Sequence, residues 1–427
     1  MLTGVAPLIC DRSQFGRGPL RAPYNSFSAM KLSFTIPSLQ MPRGRTFQLP
    51  TQAPRVRIPF LSLFVEPRSL NKWLFMWAFL LYLLFCWWCY YTWERPRLSH
   101  ESYVRFGADS PTYWNAVEYR EQHADRGSSV LVSFTGNLLG PYLIGMAFRN
   151  GVGVGLFNIA LFFLSVEIAC TIPGVDRYRL LFLLACCSET VPALVTLNKE
   201  ILVLVTALLM ARYIYSKGHS KLLLVAVLFF SLFARWEQIA ILLLFVFLQR
   251  RGSVFARSPR LAVGSVIAAL TIVYPVIAML PGSGLGAFTQ YARGANTIVK
   301  LNMIQRHFGF PLVLVPKLIM DVFGELLRPL TFLREYYMLG YGDIHSIFIV
   351  PLFSIGLITL LVKAYRRGLL HPRNPIALLI MIYMIMTAVT PFVQPRYNFF
   401  VYVLLALELS KYKEPQEAAL VPAHALA

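Results

Sequence analysis

The sequence predicts an all-α, polytopic membrane protein with about ten transmembrane helices, and three observations support this fold class. Of the 427 residues, 57% are hydrophobic and 14% are charged, whereas a soluble chain carries roughly 25% charged residues. The mean hydropathy is +0.58, and the apolar residues form near-continuous runs. Lys and Arg are concentrated in short segments between these runs. This pattern excludes an ordinary cytosolic enzyme, a disordered tail and a disulfide scaffold.

The charge distribution predicts both the partners and the orientation of the chain. The formal net charge is +20, but the basic residues are dispersed over short loops, so we expect contacts with membrane lipids and none with nucleic acid. Ten basic residues precede the first apolar run, against only Asp11 and Glu66. Because an excess of Lys and Arg stays on the inner side, we expect a cytoplasmic N-terminus and a location in the plasma (inner) membrane.

The apolar runs define the candidate spans. A helix needs about 20 residues to cross roughly 30 Å of hydrocarbon, because it rises 1.5 Å per residue. Residues 73–93 meet this length without a charge. Nine shorter or comparable runs follow, at 152–172, 180–197, 201–215, 222–234, 239–248, 261–280, 347–362, 376–393 and 399–409. Residues 222–248 could form one tilted helix, but we expect two short helices that meet at the polar segment 235–238.

This reading divides the chain into three parts. Residues 1–71 form a basic cytoplasmic lead-in, 72–413 the multi-pass domain, and 414–427 a short cytoplasmic tail. Fourteen Lys and Arg residues then fall on inner connections, and three fall on short outer ones: Lys199, Arg235 and Arg396. To keep this bias we assign residues 130–148 and 312–332 to juxtamembrane helices in the outer loops 94–151 and 281–346. The second carries a polar stripe at spacings of four, four and three, a pattern typical of an interfacial helix; its residues are Lys317, Asp321, Glu325 and Arg328.

Three polar tips join short helices on the predicted outer side, at 198–200, 235–238 and 394–397. A charge below the membrane surface needs a partner or water, so we expect the tips to share one charged cleft. The first outer loop adds Asp109, which stands two residues before Pro111. Asp109 either caps the helix that Pro111 can begin or presents a carboxylate beside the bilayer.

From residue 73 to residue 409, the order of these motifs resembles the GT-C class of integral-membrane glycosyltransferases and the related oligosaccharide-repeat polymerases of bacterial surface polysaccharides. The motifs are Asp109 with Tyr113, Gly140-Pro141-Tyr142, Lys199-Glu200 and Pro395-Arg396-Tyr397. The resemblance implies transfer of a sugar from a polyprenyl-phosphate-linked donor during surface polysaccharide assembly at the cell envelope. It also implies a catalytic acid residue in the first outer loop, matched by Asp109, and an Arg-Tyr pair near the lipid phosphate, matched by Arg396 and Tyr397.

The residue types fit this chemistry. A leaving phosphate needs cations rather than a proton, and the acceptor hydroxyl needs one carboxylate to take its proton. We therefore predict Asp109 as the general base and Arg396 with Lys199 as the phosphate clamp, with Arg235, Tyr113 and Tyr397 also binding substrate. Glu200 and Glu237 either orient these cations or merely neutralise Lys199 and Arg235. Ser110 follows Asp109 where many members of the class have a second acid, so we assign no metal ligand, and a divalent metal stays an alternative.

Other functions remain open at this stage. The chain could polymerise oligosaccharide repeat units instead of adding one sugar. It could also be a transporter or flippase for a lipid-linked sugar, which would use carboxylates buried in the spans. A structural part of a polysaccharide assembly machine is the third class.

Overall fold

The computed structural model is helical over most of the part of the chain that it describes, and that part contains no strand. The described residues are 72–89, 110, 113, 114, 117, 139–216, 220–250, 253–279, 297–324, 326, 349–390 and 395–411. All of them belong to one unit, Ile58–Ala427. The predicted lead-in 1–71 and tail 414–427 lie outside the described residues, as does Asp109.

The described helices follow the predicted apolar runs closely. In chain order they are α1 (Lys72–Cys89), α2 (Leu139–Phe148), α3 (Gly151–Cys170), α4 (Arg177–Ala185), α5 (Thr190–Val195), α6 (Glu200–Tyr215), α7 (Lys221–Ala234), α8 (Trp236–Leu248), α9 (Val254–Arg257), α10 (Pro259–Met279), α11 (Thr297–Phe308), α12 (Phe310–Phe323), α13 (Val350–Arg366), α14 (Pro375–Val389), a 3-10 turn (Pro395–Asn398) and α15 (Phe399–Ser410).

Two helices form the centre of the packed unit. Residues 200–211 of α6 are all buried, and so is every residue of α15. α6 packs against α3, α7 and α15, and α15 also packs against α4 and α13. A helix that is apolar on every side is expected in such a central position. α5 also packs against α6, and α14 packs against both helices.

The prediction of two helices meeting at the segment 235–238 is confirmed. α7 ends at Ala234 and α8 begins at Trp236, while Arg235 between them is extended, with φ −156° and ψ 111°. The prediction of one continuous helix over 180–197 is wrong, because α4 ends at Ala185 and α5 begins at Thr190. Pro192 gives the reason: proline has no N–H for the carbonyl of Ser188, and it is tolerated only in a first helical turn.

Two residues of the predicted polar stripe, Lys317 and Asp321, lie on α12 and face the protein; Glu325 and Arg328 lie outside the described residues. Lys317 and Asp321 are 0% and 1% exposed, whereas Leu312 and Ile319 on the other side of the helix are 64% and 54% exposed. An interfacial helix would turn its charges to water. The predicted orientation of this helix is therefore wrong, because the neighbouring helices supply the polar partners of Lys317.

Many of the outer helices carry large apolar side chains on their exposed faces. Examples are Leu156 on α3, Phe247 on α8, Ile272 on α10 and Ile355 on α13. By length and composition, one described helix, α3, is long and apolar enough to cross a membrane, with a mean hydropathy of 2.0. Shorter apolar helices of 10–17 residues are found at α2, α7 and α14 and in parts of α1, α8 and α10.

A cluster of polar contacts joins the C-terminal ends of α6 and α15. The hydroxyl of Tyr215 donates to the carboxylate of Glu408 at 2.5 Å, and the ammonium of Lys411 donates to the same carboxylate at 2.7 Å. Lys411 also pairs with Val175 in an isolated antiparallel bridge, and Arg367 donates to the carbonyl of Leu409 at 3.3 Å. The ends of α3, α6, α13 and α15 therefore meet at one side of the unit, which we call the basic end.

α2 packs against the C-terminal end of α7. A Cβ atom on Gly140 would stand 2.2 Å from the carbonyl oxygen of Phe233, so only glycine permits this approach. Further along α2, a Cβ on Gly145 would meet the side chains of Val117 and Leu197 at 2.8 and 3.0 Å. α2 therefore lies beside residues that immediately precede two of the polar tips, Lys199-Glu200 and Arg235.

Candidate functional site

A buried ion pair joins two of the predicted polar tips. Glu200 is the first residue of α6, and Arg235 is the extended residue between α7 and α8. A guanidinium nitrogen of Arg235 donates to a carboxylate oxygen of Glu200 at 2.8 Å, and the two side chains are 8% and 4% exposed. Because the pair is removed from water, its electrostatic attraction is stronger than that of a surface pair, but each charge depends on the other.

The third polar tip completes this cluster. The guanidinium carbon of Arg235 lies 4.6 Å from the centre of the Tyr397 ring, and that of Arg396 lies 5.7 Å from the same ring. Both distances are within the range of a cation–π contact. Side chains from 200, 235 and 397 thus meet, although these positions are far apart in the sequence. We call Glu200, Arg235, Arg396 and Tyr397 the outer cluster.

A layer of polar and aromatic side chains supports the outer cluster. Gln238, one turn into α8, donates from Nε2 to the hydroxyl of Tyr383 at 3.0 Å. The Tyr383 ring is stacked on Phe400 with their centres 4.5 Å apart and an angle of 13° between the planes. Gln238 and Tyr383 are both about 1% exposed. These contacts connect α8, α14 and α15 beneath the charged residues.

A second group of buried polar residues adjoins the first. The ammonium of Lys317 on α12 donates to the side-chain oxygen of Gln305 at 2.5 Å and to the carbonyl of Thr390 at 3.0 Å. Asn398, which directly follows Tyr397, donates from Nδ2 to the carbonyl of Asp321 at 3.3 Å. The start of α15 therefore links the outer cluster to α12.

Four side-chain atoms near the outer cluster are buried without a hydrogen-bond partner in the part of the chain that the structure describes: Glu200 Oε2, Arg235 Nε, Gln238 Oε1 and Asn398 Oδ1. Their residues are 3%, 6%, 1% and 0% exposed. Buried polar atoms are ordinarily satisfied by protein or water. Three of the four atoms are acceptors and one is a donor.

The other predicted site residues are distributed as follows. Lys199 is buried beside Glu200 in the chain, and Arg396 is partly exposed. Tyr113 is buried, and Val117, four residues later, lies close to Gly145. Glu237 is exposed, and Arg235 forms its buried ion pair with Glu200.

Sequence reasoning missed several members of this region. Tyr383 lies in the apolar run 376–393, and Gln305 lies outside every predicted span and polar tip. Asn398 directly follows the Arg396-Tyr397 motif. This adjacency is a sequence feature that indicates a place in the site, and the other two residues have no such feature. Among the described residues, no group of three or more His, Cys, Asp and Glu side chains is arranged to hold a metal ion.

Comparison with known proteins adds no family to this description, since no family model, no curated protein and no solved structure matches the chain.

Proposed function

We propose that the chain is a polytopic protein of the plasma membrane with about ten spans and a cytoplasmic N-terminus. The described residues support this proposal, because large apolar side chains are exposed and charged side chains are buried, the reverse of a water-soluble protein. Leu156, Phe247 and Ile272 are exposed, while Glu200 and Arg235 are buried. A water-soluble monomer rarely exposes so many large apolar side chains on so many helices, whereas lipid solvates them well.

The two ends of the bundle support the proposed orientation. α6 runs from Glu200 in the outer cluster to Tyr215 at the basic end, and α15 runs from Asn398 to Lys411 in the same sense. A helix of 16 residues separates its ends by about 24 Å. Basic residues of two predicted inner connections lie at this end: Arg367 donates to the carbonyl of Leu409, and the N–H of Asp176, next to Arg177, donates to the carbonyl of Ser410. We therefore assign the outer cluster to the outer side.

We propose further that the protein is a glycosyltransferase that moves a sugar from a polyprenyl-phosphate-linked donor to an acceptor on the outer face, during surface polysaccharide assembly. The single observation that carries this proposal is the meeting of the three polar tips in the outer cluster. A cation-rich site at the outer end of a membrane bundle suits a substrate that has a phosphate and a lipid tail.

In the proposed reaction, the acceptor hydroxyl oxygen attacks the anomeric carbon of the sugar. The bond between that carbon and the phosphate oxygen breaks, and its electron pair leaves with the polyprenyl phosphate. Asp109 takes the hydroxyl proton, and Arg396 with Lys199 stabilises the charge on the phosphate. Tyr113 and Tyr397 contact the substrate. Arg235 is a positioning residue in this scheme, because Glu200 neutralises it and both are buried.

The direct test uses purified protein in liposomes that contain a polyprenyl-phosphate-linked radioactive sugar. We expect label to appear in an acceptor glycan, and Asp109→Asn to lower the rate by about 10²–10⁴-fold, as for loss of a general base. Arg396→Ala should lower it by about 10²-fold or more. Glu167→Gln, which alters an exposed ion pair with Arg177 far from the outer cluster, is the matched control. Unchanged rates in both site variants would contradict the proposal.

Transport of a lipid-linked sugar is the second candidate, because a buried ion pair between helices is also typical of membrane transporters. The same liposomes distinguish the two. Movement of the labelled lipid between leaflets without a new glycosidic bond would support transport. Growth of chains from lipid-linked repeat units would instead identify a polymerase.

A further inference from the structure

We propose that Arg179, Lys363 and Arg367 form a binding site for a phosphate group at the basic end, and that this phosphate belongs to the headgroup of an anionic phospholipid of the inner leaflet. The inference goes beyond the proposed transfer reaction, because it concerns the opposite side of the membrane from the outer cluster. It rests on the proposed membrane location and orientation, and it requires no sugar substrate.

The three residues come from two helices that are held against the same part of α15. Lys363 and Arg367 are one turn apart at the C-terminal end of α13, and Arg179 lies in the first turn of α4. Arg367 and the N–H of Asp176 donate to the adjacent carbonyls of residues 409–410, at 3.3 and 3.2 Å. The N–H of Arg179 donates to the carboxylate of Asp176 at 3.0 Å. The end of α15 therefore brings the start of α4 and the end of α13 together.

The electrostatic environment of Lys363 indicates that the three charges are close in space. Lys363 directly follows the predicted span 347–362. Burial lowers the pKa of Lys363 from 10.5 to about 8, and the guanidinium groups of Arg367 and Arg179 contribute to this decrease, while the thiol of Cys186 partly offsets it. All three basic residues are partly buried, so water screens their mutual repulsion less than it would on an open surface. An anion bound among them would offset this repulsion.

The helix dipoles account for two of the three cations but not for Arg179. The C-terminal end of a helix is the negative end of its dipole, so it favours Lys363 and Arg367 at the end of α13. Arg179 lies instead in the first turn of α4, where the positive end of the dipole disfavours a cation. A phosphate would stabilise Arg179 at this position, and it would also interact favourably with the start of the helix.

The chemistry and the position of the cluster both fit a phospholipid headgroup. A guanidinium group can donate two parallel hydrogen bonds to phosphate oxygens, and an ammonium group adds a compact positive charge. Val362 and Tyr365, which flank Lys363 on α13, are 44% and 76% exposed, so an acyl chain can lie along this helix while the headgroup contacts the cations. Tyrosine is typical of the boundary between membrane and water, and basic residues at the inner ends of spans are typical of sites for anionic headgroups.

The test measures lipid binding directly. Full-length protein in detergent micelles is examined by native mass spectrometry with phosphatidylglycerol and phosphatidylcholine of identical acyl chains as probes. We expect the anionic lipid to bind about tenfold more tightly than the zwitterionic one, and Arg179→Gln or Lys363→Gln to lower its affinity about fivefold. Arg257→Gln is the matched control, because it removes the same charge from an exposed residue of α9, in another predicted inner connection. It should bind like the wild type.

Lys363→Arg distinguishes the charge of this residue from its packing. This variant keeps the positive charge and should retain the preference for phosphatidylglycerol. Variants that do not fold, as judged by gel filtration, are set aside, and the two Gln variants test the site independently. Equal affinities of the wild type for the two lipids, or equal losses in a folded site variant and in Arg257→Gln, would show that the site is wrong.

Inorganic phosphate distinguishes the two sources of a phosphate group. If phosphatidylglycerol stays bound when millimolar phosphate is added, the ligand is a lipid headgroup, as proposed. If phosphate displaces the lipid, the assignment to a lipid is wrong and the site binds a soluble phosphate. Selective binding of phosphatidylglycerol without sugar transfer in the liposome assay would support this site and contradict the proposed transfer.

Discussion

A guanidinium nitrogen of Arg235 lies 2.8 Å from a carboxylate oxygen of Glu200, so the junction of two helices is tied to the start of a third. The pair is buried, and each partner alone would be an uncompensated charge. We therefore expect Arg235→Ala to lower the free energy of unfolding by about 3–5 kcal/mol, measured by chemical denaturation in micelles.

Two variants make this prediction specific. Lys221→Ala removes an exposed charge at the start of α7, the helix that ends beside Arg235, and should change the free energy of unfolding by less than about 0.5 kcal/mol. The double replacement Glu200→Leu with Arg235→Met removes both charges, and it should recover much of the loss, because a buried pair can be replaced by apolar side chains at little cost. Equal losses in the single and double variants would argue against an ion pair.

The close approach at Gly140 leads to a second prediction. In Gly140→Ala the new Cβ would stand 2.2 Å from the carbonyl oxygen of Phe233, which is backbone and cannot rotate away. We expect α2 to shift and the free energy of unfolding to fall by about 1–3 kcal/mol. Transfer activity should fall as well, because Phe233 lies two residues before Arg235.

Gly264→Ala is the control for this helix-interior change. Nothing lies within 4 Å of a Cβ at Gly264, so alanine should stabilise α10 by up to about 1 kcal/mol through its higher helix propensity. Thermal unfolding of the two variants side by side measures the difference. If both alanine variants are stabilised, the contact between α2 and α7 is not formed.

The basic end supplies a prediction on pH. Burial lowers the pKa of Lys411 from its usual value of 10.5, and the nearby carboxylate of Glu408 partly offsets this by raising it. The unfolded chain therefore binds more protons than the folded one between the folded pKa and 10.5. Stability should rise with pH across that window, and Lys411→Met should remove this part of the rise.

The effect of burial and the effect of Glu408 on the pKa of Lys411 can be measured separately. NMR titration of the lysine side chain should give a midpoint below 10.5 in the wild type, and Glu408→Gln should lower it further, because the stabilising carboxylate is lost. Both proteins keep Tyr215, whose ring centre lies 3.6 Å from the ammonium of Lys411. The difference between the two midpoints therefore reports the carboxylate of Glu408. A midpoint that rises in Glu408→Gln would contradict this account.

The positions of the helices were largely predictable, because continuous apolar runs specify where a helix lies without reference to the rest of the chain. The break at Arg235 was also predictable, since a charged tetrapeptide interrupts an apolar run. The partner of Arg235 was not predictable from local sequence: Glu237 is nearer along the chain, but the packing of α6 against α7 brings Glu200 to it. Long-range pairing of this kind depends on the three-dimensional arrangement.

The burial of Tyr383 and the orientation of α12 could not be predicted from the sequence. Tyr383 lies on α14, where ten of 15 residues are buried, so periodicity does not distinguish its inward face. The polar stripe on α12 was visible in the sequence, but periodicity reports which residues share a face and not whether that face meets water or protein. Lys317 points to protein, because Gln305 and the carbonyl of Thr390 accept its hydrogen bonds.

The proposed membrane location predicts which side chains can be replaced by lysine. Leu164 lies in the central part of α3 and is 57% exposed, and Leu222 lies at the start of α7 and is 79% exposed. If lipid surrounds the bundle, Leu164→Lys places a charge in the hydrocarbon region, at a cost of about 2.5–3.5 kcal/mol. We expect much less of this variant in the membrane fraction of cells.

Leu222→Lys should accumulate normally, because lysine at a helix end can extend its ammonium group to the membrane surface. The contrast between the two positions is what identifies lipid. In a water-exposed bundle, both leucines would already face solvent, and lysine at either position would change the free energy of unfolding by no more than about 0.5 kcal/mol. Equal accumulation of the two variants, in a soluble fraction or a membrane fraction, would therefore contradict a span at α3. The assignment of the outer cluster to the outer side depends on the same helices, so it would fall with that result.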